Sequence, residues 1–223
     1  MSVHMQRDIE QLKSRLLSYG ARVEEALDNA VEAVRRRDVQ LAGAVVAGDD
    51  ELDLQEIEIE EDCLKILALY QPVAADLRFV VGVLKMNNEL ERIGDLATNI
   101  AKRARELAGE PELSTPVDYA EMADLALSMV KRGLDALVTG DAALARKVLG
   151  DDDQLDAMRA ASQANILEQI RKNPQRVESL MALGGVYRHL ERIGDMATNV
   201  CEDVIYMIEG DIARHPSVRP VDG

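Results

Sequence analysis

Leu90-Glu91-Arg92-Ile93-Gly94-Asp95-Leu96-Ala97-Thr98-Asn99-Ile100 recurs later in the chain as Leu190-Glu191-Arg192-Ile193-Gly194-Asp195-Met196-Ala197-Thr198-Asn199-Val200. Only two of the eleven positions differ, and both changes are conservative. Self-similarity of this kind marks a duplicated structural unit. The likeness continues upstream, more weakly but in register. Asp38 to Val46 parallels Asp141 to Leu149, and Gly48-Asp49-Asp50 with Leu52-Asp53 parallels Asp151-Asp152-Asp153 with Leu155-Asp156. The chain is one unit written twice.

Each copy divides into helices by its punctuation. Leu12, Leu16, Tyr19, Val23, Leu27, Ala30 and Val34 recur at helical spacing within Gln6 to Arg36, and Asp38 then offers an N-cap to a short helix ending near Val46. Gly48 breaks that helix, a long segment runs from Asp49 to Tyr70, and Pro72 sits at the expected first turn of a further helix reaching about Leu107. The second copy predicts Tyr119 to Val138, a cap at Asp141, a break at Gly150, Asp152 to Lys172, and a last helix opened by Pro174 and ending near Ile208. No stretch of alternating β-branched residues bounded by hairpin turns occurs. The expectation is an all-α protein of two tandem three-helix bundles: 1–110, then 111–209, then a flexible tail over 210–223. Gly109 to Pro116, rich in helix breakers, is the predicted joint.

Composition narrows the function. The 223 residues include five Tyr, one Phe and no Trp, so the core falls to Ala, Leu, Val, Ile and Met, which favours helices. The methionines, Met181 and Met196 among them, read as core fillers. With 41 Asp and Glu against 26 Lys and Arg, the net charge of -15 repels phosphate backbones and argues against nucleic acid as a partner. Cys63 and Cys201 lie in apolar helical stretches without CxxC spacing, which points to a reducing, cytoplasmic setting. Charges every few residues from Met1 to Arg15, and no run near the roughly 20 apolar residues a spanning helix needs, predict a chain neither exported nor inserted in a membrane.

The repeated motif carries the chemistry. Glu91, Asp95 and Asn99 fall at i, i+4 and i+8 on one helix, as do Glu191, Asp195 and Asn199, and each column lies opposite its helix's apolar stripe. A second acidic pair at i, i+4 opens the preceding helix: Asp49 and Asp53 in one copy, Asp152 and Asp156 in the other. Antiparallel packing would bring four carboxylates and an amide onto one patch per bundle. Hard oxygen donors in that number suit Mg, Ca, Mn or Fe. The competing reading is a solvated acidic face, but the two motifs agree across Arg92, Gly94 and Thr98 while the flanking helices have diverged. Arg92 and Arg192 are placed to orient the carboxylates. Gly94 and Gly194, each costing about 1 kcal/mol in a helix interior, point to close packing. His189, in His189-x-Glu191, does not make the Glu-x-x-His pattern of di-iron helices and reads as a surface residue. No Ser/His/Asp set, Gly-rich phosphate loop or HExxH is present.

Gln71-Pro72-Val73-Ala74-Ala75-Asp76-Leu77-Arg78, the two Leu-Glu-Arg-Ile-Gly-Asp helices and the ending Val204-Ile205-Tyr206-Met207-Ile208-Glu209-Gly210 together resemble the PhoU family along the whole chain. That resemblance implies a cytoplasmic homodimer without enzymatic activity. It implies a negative regulator of phosphate uptake and of the phosphate-starvation response, working with the ATPase of the phosphate ABC transporter and a sensor histidine kinase. It also implies Fe, Zn, Mg or Mn bound at Glu91, Asp95, Glu191 and Asp195, with Asp49, Asp53, Asp152 and Asp156 facing them. Many family members carry His where this chain has Met196, which removes a nitrogen donor from the second site. Against these stand a carboxylate-bridged metalloenzyme and a metal store.

Overall fold

Two aspartates set the start of the short helices. Asp38 Oδ1 accepts from the backbone N–H groups of Gln40 and Leu41 at 2.9 and 3.0 Å, and Asp141 Oδ1 accepts from that of Leu144 at 3.0 Å. The computed structural model describes residues 3–110 and 119–210. The helices are α1 (Val3–Arg36), α2 (Val39–Ala47), α3 (Asp49–Tyr70) and α4 (Ala74–Ala108), then α5 (Tyr119–Thr139), α6 (Ala142–Leu149), α7 (Asp152–Lys172) and α8 (Val177–Glu209). No strand occurs among the described residues. Most of the predicted joint and all but the first residue of the predicted tail lie outside them.

Both prolines stand slightly apart from the positions expected of them. Pro72 precedes the N-cap residue Val73, after Gln71 has closed α3 at φ 47°, and α4 begins at Ala74. Pro174 opens a 3-10 turn, Pro174–Arg176, before α8 begins at Val177. A proline ring clashes with a right-handed helical residue before it, and neither Gln71 (φ 47°, ψ 57°) nor Asn173 (φ -134°, ψ 68°) is in that region, so each helix ends before its proline.

In each half the three long helices pack together, with the short helix against the last of them. The two halves then join along α4 and α8, which run antiparallel. Lys85 Nζ reaches Asp203 Oδ1 at 3.3 Å, and Asn199 Nδ2 donates to Glu89 Oε2 at 3.3 Å. Ile93, Ala97, Ile193 and Ala197 from the two motif helices belong to one continuous buried core. Small residues allow the approach: a Cβ on Gly20 of α1 would come 2.9 Å from Leu134 Cδ2 of α5. Leu12, Leu16, Leu27, Met86, Met122 and Met129 are fully buried, each contributing roughly 1.5–3 kcal/mol by leaving water.

The seam between halves overturns one expectation. His189 is buried at 5% exposure, and neither ring nitrogen has a hydrogen-bond partner among the described residues. The flank that carries it would be open on an isolated bundle and is covered here by packing against the other half. Met181 also departs from expectation: it is 61% exposed rather than a core filler.

Candidate functional site

The acids of the repeat gather into one patch per half. On α3, Asp49 and Glu56 are half-buried and Asp53 is exposed; on α4, Glu91 is half-buried and Asp95 is exposed. Burial pushes the carboxyl pKa of Asp53, Glu56 and Glu91 upward, and their mutual negative charge, with that of Asp95, pushes the same way. In the second half Asp152, Glu191 and Asp195 are half-buried and Asp156 is exposed. Asp152 and Asp195 are raised for the same two reasons, burial first. The carboxylates of adjacent antiparallel helices therefore sense one another across each patch. Among the described residues, no three Asp, Glu, His or Cys side chains converge closely enough to hold a metal ion as they stand.

The supporting residues divide differently from the sequence expectation. Asn199 turns to Glu89 of the other half rather than joining its own patch. Asn99 is half-buried on α4. Arg92, exposed, pairs with Glu89 at 3.6 Å, not with Glu91 or Asp95. Arg192 is exposed, and its charge opposes the rise at Asp195. Gly194 is explained by packing: a Cβ there would overlap Leu155 Cδ2 of α7. At Gly94 a Cβ would meet Leu52 Cδ1 at 3.5 Å, an ordinary contact.

Three residues of the first patch escaped the sequence reading. Thr98, buried on α4, donates from Oγ1 to Asp49 Oδ1 at 3.0 Å and fixes that carboxylate. Glu56 accepts from Asn87 Nδ2 at 3.0 Å. Tyr19 of α1 is buried with no partner for its hydroxyl among the described residues, and burial together with Glu56, Glu91, Asp53 and Asp95 drives its pKa up. A hydroxyl within the repeated motif was a signal for Thr98; nothing local distinguished Glu56 from its many acidic neighbours.

The twin patches are thus not equivalent. In the register that aligns Asp53 with Asp156, Glu56 corresponds to Arg159 and Tyr19 to Met122. Thr198 donates to the backbone carbonyl of Asp195 at 2.7 Å, where Thr98 reaches across to another helix.

The family model described as the PhoU domain matches residues 16–104 and again 119–204. The chain belongs to the PhoU family. It is 38% identical to a phosphate-specific transport system accessory protein PhoU homolog of Aquifex aeolicus (strain VF5), over 96% of each chain. It is 35% identical to the homolog of the same name from Pseudomonas putida, over 98% of this chain and 86% of that one. The crystal structure of PhoU from Pseudomonas aeruginosa superposes with a TM-score of 0.88 at 35% identity, covering 92% of this chain and 99% of that one. The phosphate transport system regulatory protein PhoU from Streptococcus pneumoniae gives a TM-score of 0.85 at 28% identity, over 93% and 98%. In this PhoU chain the two domain matches fall on the two copies read from the sequence.

Proposed function

We propose that the chain is a non-enzymatic negative regulator of phosphate uptake and of the phosphate-starvation response. It acts as a cytoplasmic homodimer that docks on the ATPase subunit of the phosphate ABC transporter and on a phosphate sensor histidine kinase. The observation that carries this reading is the near full-length match to proteins named as accessory to phosphate-specific transport. No helix among the described residues is long and apolar enough to cross a membrane, so attachment to the transporter would be by docking. Residues 1–110 and 111–209 are its two working units in this proposal, in keeping with the separate domain match in each.

The acid patches are the proposed cation sites. Their donors are all oxygens, and Asp53, Glu91, Asp152 and Asp195 are pushed upward first by burial and then by neighbouring carboxylates, a repulsion that a hard divalent or ferrous ion would relieve. Asp49, Asp53, Glu91 and Asp95 would hold it in the first half, and Asp152, Asp156, Glu191 and Asp195 in the second. A bound ion would supply positive charge at the docking face. What the chain itself supplies is the orientation of Asp49 by Thr98 and the rigidity of antiparallel helices beneath the patch.

In a strain lacking this protein, a phosphate-starvation reporter should be active in phosphate-rich medium and should fall silent when the wild-type chain is restored. A variant combining Glu91→Gln, Asp95→Asn, Glu191→Gln and Asp195→Asn should fail to silence it, should lose co-purification of the transporter ATPase, and should carry less metal by elemental analysis. A reporter indifferent to the protein would refute the regulatory reading. Metal content unaltered by the four substitutions would refute the ligand assignment.

A further inference from the structure

A cavity of about 580 Å³ lies between the C-terminal end of α4, the middle of α7 and the first half of α8; none of the acids proposed as cation ligands lines it, although Arg159 stands one turn from Asp156 and Arg188 one turn from Glu191. Ile166 and Ala182 are buried at its base, while Leu167 and Met181 are exposed at its mouth. Three arginines also line it, Arg103, Arg159 and Arg188, in a chain whose net charge is -15.

The duplication shows how this cavity arises. In the register of the repeat, Gly184 and Gly185 correspond to Leu84 and Lys85 of the first half, and Arg103 corresponds to Asp203. The first-half lysine fills its space, reaching Asp203 and lying 5.4 Å from the centroid of the Tyr206 ring. Its second-half counterpart has no side chain at all. A Cβ on Gly185 would lie 3.1 Å from Arg103 Nε, so the guanidinium borders the space the glycine vacates. Charge differs as well: Arg159 stands for the acid Glu56, and Arg188 for the neutral Asn88.

The arginines are unequally engaged. Arg103 Nη1 donates to both carboxylate oxygens of Glu106, at 2.9 and 2.7 Å. Among the described residues, Arg159 Nη1 donates only to the neutral amide oxygen of Gln163, at 3.3 Å. Arg188 has no ion-pair partner among the described residues. Glu178 is the other acid lining the cavity. Two guanidiniums are therefore left without a carboxylate beside an apolar wall. Planar forks of N–H donors take up oxyanions in pairs of hydrogen bonds. Concave sites with apolar walls and a few convergent polar groups are where small ligands bind.

We propose that this cavity binds a small amphipathic anion, its phosphate or carboxylate head held by Arg159 and Arg188 and its apolar body laid on Ile166, Leu167 and Met181. The glycine pair lets that body approach the α8 backbone closely.

The test uses the full chain and three fluorescent probes that share one apolar body: naphthyl phosphate, naphthoate and naphthol. The absence of Trp keeps their emission free of interference. At least one anion should saturate at one per chain, and naphthol should bind at least about tenfold more weakly. Whichever anion binds tighter identifies the head group. Arg159→Gln and Arg188→Gln should each weaken that binding by about tenfold, the loss of one charged hydrogen-bonding group. Gly184→Leu restores the first-half residue and should abolish binding without lowering thermal stability, since its Cβ meets Ile166 at no less than 3.9 Å. Failure of both anions to saturate, equal binding of naphthol, or binding that survives Gly184→Leu in a folded protein would overturn the proposal.

Discussion

Acidification should weaken this protein through His189. The ring is buried, lacks a partner for either nitrogen among the described residues, and lies in the field of Arg188, Arg103 and Arg192; burial, then those charges, lower its pKa from 6.5 to about 4. The unfolded chain accepts a proton on this residue below 6.5, whereas the folded chain resists until about 4. The contribution is therefore intact above the unfolded value and lost progressively as pH falls toward the folded one. A gap of that size is worth about 3 kcal/mol in full, and about 2 kcal/mol has been lost by roughly pH 5. The raised carboxylates act with the opposite sign, because the folded state holds their protons to higher pH than the unfolded state does, so their contribution falls as pH rises. The measurement is urea unfolding across this range for the wild type and for His189→Leu. The wild type should lose about 2 kcal/mol more than the variant between roughly pH 7.5 and pH 5. Parallel pH dependences for the two proteins would refute the reasoning.

The two motif glycines should respond differently to alanine. Gly194→Ala drives a methyl into Leu155 and should cost about 1–3 kcal/mol, whereas Gly94→Ala meets only ordinary contact and should be neutral or gain up to about 1 kcal/mol, both read from denaturant midpoints. Glu91→Gln removes an ionised group held against its neighbours, so metal-free protein at neutral pH should gain at most about 1 kcal/mol, a gain that disappears in acid. Cys63 and Cys201 are fully buried, with thiols pushed up to about 12, so a colourless native sample in a thiol assay should develop two equivalents only on unfolding. Fast reaction of either cysteine in the folded protein would contradict that burial.

The helix ends were legible because capping is local. Asp38 and Asp141 cap where their position before an apolar run says they should, and Gly48 and Gly150 end the short helices in both halves. The approach of the acids of α3 to those of α4 was also legible, since one antiparallel turn places them side by side. His189 was not. Its burial depends on α4 and α8 meeting along their length, and an amphipathic stripe says which face is apolar without saying what covers the flank. Asn199 misled for the same reason, since it engages Glu89 of the other half, whereas Arg92 reaches that same acid by a local i,i+3 contact along α4. The inequality of the two patches rests on Tyr19, Glu56 and Thr98. Two of these stand on helices outside the repeated motif, where the copies had drifted apart.

The antiparallel union of α4 and α8 makes a spar of the two helices that carry the repeated motif. One continuous buried core, drawn from both halves, packs on it. The two faces it holds apart, one with Glu56 and Thr98 reaching across helices and the other with Arg159 and a Thr198 bonded within its own helix, are therefore fixed as unlike surfaces of one body.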